Sequence, residues 1–443
     1  MKAETKISVF GMGKLGCTML ACFAHKGAQV IGVDINEDSV SKLNKGLSPI
    51  YEPGVAELIK KNISKISATS DAKKAVLNSS VSFIIVPTPS EKNGSFNTKA
   101  VESVATEIGK ALSQKTEYHL VIVTSTVLPG DTTRIVGVLE KTSGKKCNVD
   151  FGVCYNPDFI ALGTVVRDFL NPDMVLIGES DKKAGDTLCE IHENLVDNKP
   201  SINRMSFENA ELTKIALNSY CTLKITFANI IAEICEKIPG GNSTVVTTAL
   251  GFDTRIGNKY LKGGLSYGGP CFPRDNKAFA WTAGQFGVLN TLAMKTDEVN
   301  DFHRTSRIPE KLLSILSEKK GTHIAVLGLT YKADTTLVEE SAAISVIKTL
   351  AKNNIKISVY DPAGLPDAKI ALKDCPNIFF SDNSKACLKD ADLCFIAAPW
   401  KEFKELSKND FVEQMKTPVI FDAWNLVNFE SEKNIDYIQI GKH

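Results

Sequence analysis

Cys271 lies in the stretch SYGGPCFPRDNKAF (residues 266–279), between a Gly-Gly-Pro turn and a Pro-Arg-Asp turn. Such a thiol can be buried filler, a metal ligand, half of a disulfide or a nucleophile. The chain has eleven cysteines, an odd number, and no CxxC pair, and its six histidines are scattered. That spacing supports neither a zinc site nor a disulfide framework. Cys22, Cys221, Cys235 and Cys394 sit in apolar runs and read as small buried hydrophobes. Cys271, among turn formers, does not. A second chemical pair is Lys214 and Asn218, four residues apart in a helical pattern and so on one face.

A third constellation is KISVFGMGKLG, a β-rich run leading into a helical stretch, with Gly11, Gly13 and Gly16 at G-x-G-x-x-G spacing. The next strand-like run, AQVIGVD, ends in Asp34, about twenty residues on. This context makes the glycines a dinucleotide fingerprint. Gly11 makes the turn, Gly13 admits the pyrophosphate to the backbone, and Gly16 lets helix and strand pack closely. Met12, Lys14 and Leu15 complete the loop, and Asp34 is suited to both ribose hydroxyls, which favours NAD over NADP. Thr88 in VPTP and Thr126 in TSTVLPG lie at strand ends, the edge where a ligand lies in an open parallel sheet.

The elements that must hold these groups follow from pattern. Apolar runs at 81–89, 119–126, 151–157 and 174–178 continue the first sheet, and residues 206–238 read as one long helix. From about residue 322 the opening is replayed: THIAVLGLTYK, KISVYDP and LCFIAAPW parallel KISVFGMGK, QVIGVDIN and SFIIVPTP. Only the first glycine of the phosphate turn, Gly328, is kept. The expected fold is α/β: two Rossmann-like doubly wound domains joined by a long central helix. The expected divisions are a NAD-binding domain (1–203), a central helical domain with the cysteine loop (204–305), and a second Rossmann-like, nucleotide-type domain (306–443). Two such domains suggest two ligands, a redox cofactor and a nucleotide-bearing substrate. At 443 residues the chain exceeds one ordinary core, and 52 basic against 51 acidic residues give no field for nucleic acid or a membrane surface. The N-terminus lacks signal-peptide anatomy, so a soluble, cytoplasmic protein is expected.

These stretches together resemble the UDP-glucose/GDP-mannose dehydrogenase family, the nucleotide-sugar 6-dehydrogenases, over nearly the whole chain. The matching segments are GMGKLG, SPIYEPGVAELI (48–59), VPTP, TSTVLPG, YNPDFIALGTVVRDFLNP (155–172), ELTKIALNS (211–219), RIG (255–257), YGGPCFPRD (267–275) and GLTYK (328–332). The resemblance implies a four-electron, NAD-dependent oxidation of the C6 alcohol of a nucleotide hexose, UDP-glucose first among the candidates. Cys271 would be the nucleophile that captures the aldehyde. Lys214 would stabilise the oxyanion, Asn218 would orient that oxygen or a water, and Asp275 would act as base or water positioner. Asp158 would keep the family's catalytic, substrate-binding carboxylate with one methylene less reach, Thr126 would lie near the cofactor and reacting carbon, and Arg274 near the cofactor. Arg274 and Lys214 are the cations expected to favour the thiolate. Phe159, Ile160, Tyr260, Leu261, Tyr267, Gly268 and Lys332 would line the substrate site, and Arg255 would reach the site of a neighbouring subunit. A homodimer or higher homo-oligomer through the long helix is implied, and no metal.

The chain departs from the family pattern at Asp158, where Glu is usual, and at Leu162, the place of a second acid. Glu339 and Trp424 stand at positions that usually carry arginine. Two other readings use the same residues: a β-hydroxyacid dehydrogenase, which needs neither Cys271 nor the second nucleotide domain, and a non-catalytic NAD or nucleotide-sugar sensor.

Overall fold

The computed structural model describes residues 5–289, 291–430 and 432–443. It divides into two units, one ending at Ala216 and one beginning at Leu217. The first is built on eight strands: β1 (Lys6–Phe10), β2 (Gln29–Val33), β3 (Ile66–Thr69), β4 (Val81–Ile84), β5 (His119–Val123), β6 (Phe151–Tyr155), β7 (Met174–Glu179) and β8 (Ser201–Met205). Their order is β3-β2-β1-β4-β5-β6-β7-β8. Pairing is parallel from β3 to β6. β7 runs antiparallel to β6, and β8 runs parallel to β7.

The central strands are continuous apolar runs because both faces are covered, as parallel sheets require. Alternate residues feed opposite cores. Ile7, Val9, Phe83 and Leu120 pack with Leu20 and Phe23 on one face. Phe10, Ile84, Val121 and Val123 pack with Ile135 and Leu139 on the other. The strand order reverses at β1 and β4, so the loops after β1, β4 and β5 share one sheet edge at the switch point. Those loops carry Gly11, Thr88 and Thr126.

The second unit repeats this plan with β9 (His323–Leu327), β10 (Lys356–Tyr360), β11 (Ile378–Phe380), β12 (Leu393–Ile396), β13 (Val419–Asp422) and β14 (Asp436–Gln439). The order β11-β10-β9-β12-β13-β14, all parallel, matches β3-β2-β1-β4-β5-β6 of the first unit. The replay seen in the sequence is thus a replay of topology.

Residues Phe207–Lys237 form a single 31-residue helix. Its most apolar window has a mean hydropathy of 1.2, within reach of a membrane span, but 44% of that window is buried in the protein. Glu211, Lys214, Asn218, Thr222, Thr226 and Asn229 form a buried polar stripe along it. Those residues mark a core helix that positions polar groups.

One local expectation changes. The residues after Cys271, dense in turn formers, begin the helix Phe272–Gln285 with Pro273 in its first turn. Proline is tolerated there because the first-turn N–H groups have no partner within the helix.

Candidate active site

In the first unit Gly11 has φ +101°, and a Cβ there would lie 2.6 Å from the carbonyl oxygen of Ile85. At Gly16 a Cβ would lie 1.9 Å from the Gly11 oxygen, whereas at Gly13 it would meet nothing within 4 Å. Gly11 and Gly16 are therefore required by the turn and by helix packing, and Gly13 opens onto space that a pyrophosphate can approach. The helix Lys14–His25 has no side-chain cap at Gly13 and no acid in its first turn, so its N–H groups remain available to an anion. Asp34 accepts from the N–H of Met12 at 2.6 Å and of Asn36 at 2.9 Å, one to each oxygen. Each oxygen keeps a lone pair for a ribose hydroxyl. These residues fit NAD. Leu15 packs against the core beneath, and Lys14 is half-buried.

The loops beside them are tied together. Thr88 Oγ1 donates to the Thr126 carbonyl at 2.8 Å, and Ser125 Oγ to the Val86 carbonyl at 2.7 Å. Asp158, Phe159 and Ile160 follow β6 and are half-buried. Asn156 anchors their loop: its Nδ2 donates to the Leu176 carbonyl at 2.9 Å, and its Oδ1 takes the His192 Nε2 at 2.8 Å. Burial pushes His192 down to about 4, so the ring is neutral and Nε2 carries the proton. Lys214 donates to the Asp158 carbonyl at 2.5 Å and stands 4.7 Å from the centre of the Phe159 ring. Asp158 Oδ2 is enclosed without a hydrogen-bond partner. Burial pushes this carboxyl up to about 7, and the Lys214 ammonium pulls it the other way. Leu162, in the second acid's place, packs on the core.

In the second unit Cys271 is exposed and caps the N-terminus of the Phe272–Gln285 helix. A thiolate there faces the positive end of the helix dipole, which lowers the cost of its charge. Asp275 is fully buried, and each oxygen is engaged: Asn218 Nδ2 donates to Oδ2 at 2.6 Å, and Arg274 Nε and Nη2 reach Oδ1, each at 2.9 Å. Arg274 is thus committed to Asp275. Lys214, one helical turn before Asn218, is committed to the Asp158 carbonyl. The helix terminus at Cys271 is a feature that the sequence did not reveal.

The glycines before Cys271 are explained by packing. A Cβ on Gly268 would lie 2.1 Å from the Glu340 oxygen, and one on Gly269, at φ +80°, 2.6 Å from the Tyr331 ring. The cysteine loop therefore rests on the segments around Tyr331 and Glu340. Tyr260 and Tyr267 make edge contacts with Phe272 at 6.0 and 6.4 Å between ring centres. Lys332 lies 6.0 Å from the centre of the Tyr331 ring, and Leu261 is buried. Arg255 stands apart, exposed and paired with Asp253 at 2.6 Å.

The replayed nucleotide loop is closed. Gly328 repeats Gly11, with φ +97°, and Leu329 N–H meets Asp361 at 2.7 Å as Met12 meets Asp34. Here Thr330 and the Trp400 indole also donate to Asp361, and the carboxylate is buried. No ribose can use it. Trp424 donates its Nε1 to the Ala397 carbonyl at 2.9 Å, and Glu339 is exposed.

Three family models match the chain in order. They are the NAD binding domain (residues 5–196), central domain (208–302) and UDP binding domain (325–429) of the UDP-glucose/GDP-mannose dehydrogenase family. This chain belongs to that family. It is an NAD-dependent nucleotide-sugar 6-dehydrogenase. It is similar to the UDP-glucose 6-dehydrogenase of Haloferax volcanii, at 35% identity over 98% of this chain and 99% of that one. The GDP-mannose 6-dehydrogenase of Pseudomonas aeruginosa is 36% identical over 80% of this chain and 81% of its own. The solved UDP-glucose dehydrogenase of Pyrobaculum islandicum superposes with a TM-score of 0.87 at 29% identity, covering 99% of this chain and 98% of that one.

Residues that the sequence reading passed over include Glu211, Asn156 and His192. Glu211 carried a signal: an acid three residues before Lys214 and so on the same helical face. His192 carried none, because its partner is supplied by tertiary packing.

Proposed function

We propose that this dehydrogenase oxidises the C6 alcohol of UDP-glucose to the carboxylate at a single site, with Cys271 as covalent nucleophile. The carrying observation is Cys271 at the mouth of a helix whose first turn holds Asp275 against Asn218. The 35% identity to a UDP-glucose 6-dehydrogenase over nearly the full length supports that sugar.

When bound, NAD⁺ accepts a hydride in each of two oxidations. The alcohol first loses a hydride and a proton and becomes an aldehyde. Cys271 Sγ adds to the aldehyde carbon, and its oxygen becomes the alkoxide of a thiohemiacetal. Loss of the second hydride gives a thioester. Water adds to the thioester carbon, the C–S bond breaks, and the carboxylate leaves with the thiol restored. Lys214 stabilises the alkoxide as a fixed cation. The carboxylate of Asp275 can only accept, so it turns the Asn218 Nδ2 inward and leaves the amide oxygen to hold a hydroxyl or water. Asp158, whose carboxyl titrates near neutrality, has the affinity to take a proton from that water. Thr126 stands in the loop after β5, at the C-terminal edge of the sheet. Phe159, Ile160, Tyr260, Leu261, Tyr267, Gly268 and Lys332 bind the nucleotide sugar.

Eleven cysteines without a disulfide suit a reducing cytoplasm. Tyr220, Phe227, Ile230 and Ile234 make an exposed apolar stripe along the long helix, the face we assign to a second copy of the chain.

The test mixes the purified protein with NAD⁺ and, separately, UDP-glucose, UDP-N-acetylhexosamines and GDP-mannose. Two NADH per UDP-glucose are expected, with net turnover lost in Cys271→Ser. A single NADH ending at free aldehyde, or full activity in the serine variant, would sink the mechanism. NADH from another sugar alone would reassign the substrate.

A further inference from the structure

The helix Asp131–Ser143 begins at Gly130, in left-handed backbone at φ +99°, without a side-chain cap of its own. Its first-turn N–H groups are claimed from elsewhere. Glu211 Oε2 accepts from Gly130 N–H and Oε1 from Thr132 N–H, both at 2.8 Å, and Glu211 is fully buried. This carboxylate comes from the long helix, one turn before Lys214. The segment it grips is the end of the TSTVLPG loop, whose other bonds point the same way. Leu128 N–H meets Asp131 Oδ2 at 2.9 Å, and the Thr126 carbonyl is held by Thr88.

A buried carboxylate is costly unless its oxygens are satisfied, and here both are satisfied by one loop. Removing it frees two buried or part-buried amides and loosens the Thr126 loop from the helix that carries Lys214. Small misplacements of reacting groups carry large rate penalties.

We infer that Glu211 is a positioning residue, locking the loop that carries Thr126 to the helix that carries Lys214 so that both groups keep one register at the reacting carbon. This rests on the roles proposed above for Thr126 and Lys214.

The test measures NADH formation at saturating NAD⁺ and UDP-glucose, or another sugar of the panel that the wild type oxidises, for wild type, Glu211→Gln, Thr126→Ala and the double variant. Glu211→Gln keeps shape and one acceptor, and turns an N–H₂ toward the other amide. It is expected to lower kcat by about tenfold to a hundredfold. KM for both substrates should stay within about threefold, and the double variant should fall little below the worse single one. Additive losses, or kcat within about twofold of wild type, would overturn the assignment.

If Glu211→Gln does not fold, amide hydrogen exchange on the wild-type protein decides. Gly130 and Thr132 should exchange slowly, although first-turn amides normally lack helix partners. Exchange at the rate of an open chain would overturn the tether. A wild type that makes no NADH from any sugar would instead overturn the proposed chemistry, and the exchange measurement would still report on the tether.

Discussion

The Nδ2 of Asn218 lies 2.6 Å from the Oδ2 of Asp275, and Arg274 closes on the other oxygen of the same buried carboxylate. One acid in the first helical turn after Cys271 thereby fixes two polar side chains, and it has no oxygen left unengaged. Asp275→Asn would turn an N–H₂ toward one partner and remove the negative charge that Arg274 Nε and Nη2 meet. Breaking one side of a buried pair costs about 3 kcal/mol. The expected result is a clear drop in Tm and a loss of kcat of about a hundredfold, read by thermal melts and steady-state NADH formation. A variant with normal kcat and lowered Tm would leave Asp275 a purely structural role.

Placing Cys271 at a helix N-terminus separates it from the other ten cysteines. Burial pushes Cys17, Cys22 and Cys387 up to about 12, and holds Cys154 and Cys394 well above the ordinary thiol value. Iodoacetamide at neutral pH should alkylate Cys271 first, with NADH formation lost in step, as followed by peptide mass spectrometry. Saturating UDP-glucose should slow that labelling. Labelling of another cysteine with the same loss of activity would contradict the assignment.

Much of this site was legible because its chemistry is local in sequence. The G-x-G-x-x-G loop, Asp34 and the Gly-Gly-Pro turn before Cys271 each declare themselves within a few residues. The replay after residue 322 was legible because parallel strands buried on both faces leave long apolar runs. The short outer strands β3, β8, β11 and β14 were not, since edge strands carry few buried residues to set a period. The helix after Cys271 was hidden by its own start, where glycine and proline read as loop although proline suits a first turn. The closing of the second nucleotide loop was also hidden, because Trp400 reaches Asp361 from 39 residues away.

Asp158 gives a pH test whose sign is fixed. Burial, opposed by the facing Lys214, raises its folded pKa from 3.8 to about 7. A carboxyl raised in the folded state binds more protons there than in the unfolded chain. Its contribution to stability is therefore full below the unfolded value and is lost as pH rises to about 7. Glu211, raised to about 7 by burial and by Asp131, acts in the same direction. Asp158→Asn cannot ionise, so the difference in Tm between variant and wild type should shift in the variant's favour as pH goes from about 5 to about 8. A difference that stays constant across that range would refute the raised pKa. Activity should fall in the variant at every pH, because an amide cannot accept the proton.

Arg255 provides the last test, of assembly. Its guanidinium is exposed and pairs with Asp253, while Lys224 of the long helix holds the carbonyls of Ile256 and Gly257 at 3.0 and 3.1 Å. The RIG loop is thus fixed to the same helix that exposes Tyr220, Phe227, Ile230 and Ile234, each at least 38% accessible. Spacings of seven, three and four residues put those four on one face, an apolar patch suited to a second copy. If that copy takes Arg255 into its site, Arg255→Ala and Cys271→Ser are each inactive alone. Mixed and allowed to exchange subunits, they should regain about a quarter of wild-type activity, because half of the dimers then contain one intact site of two. Ile230→Glu with Ile234→Glu should reduce the solution mass to that of one chain, measured by light scattering, and abolish the rescue. Dimers without rescue would place Arg255 outside the partner's site, and a monomeric wild type would overturn the second copy altogether.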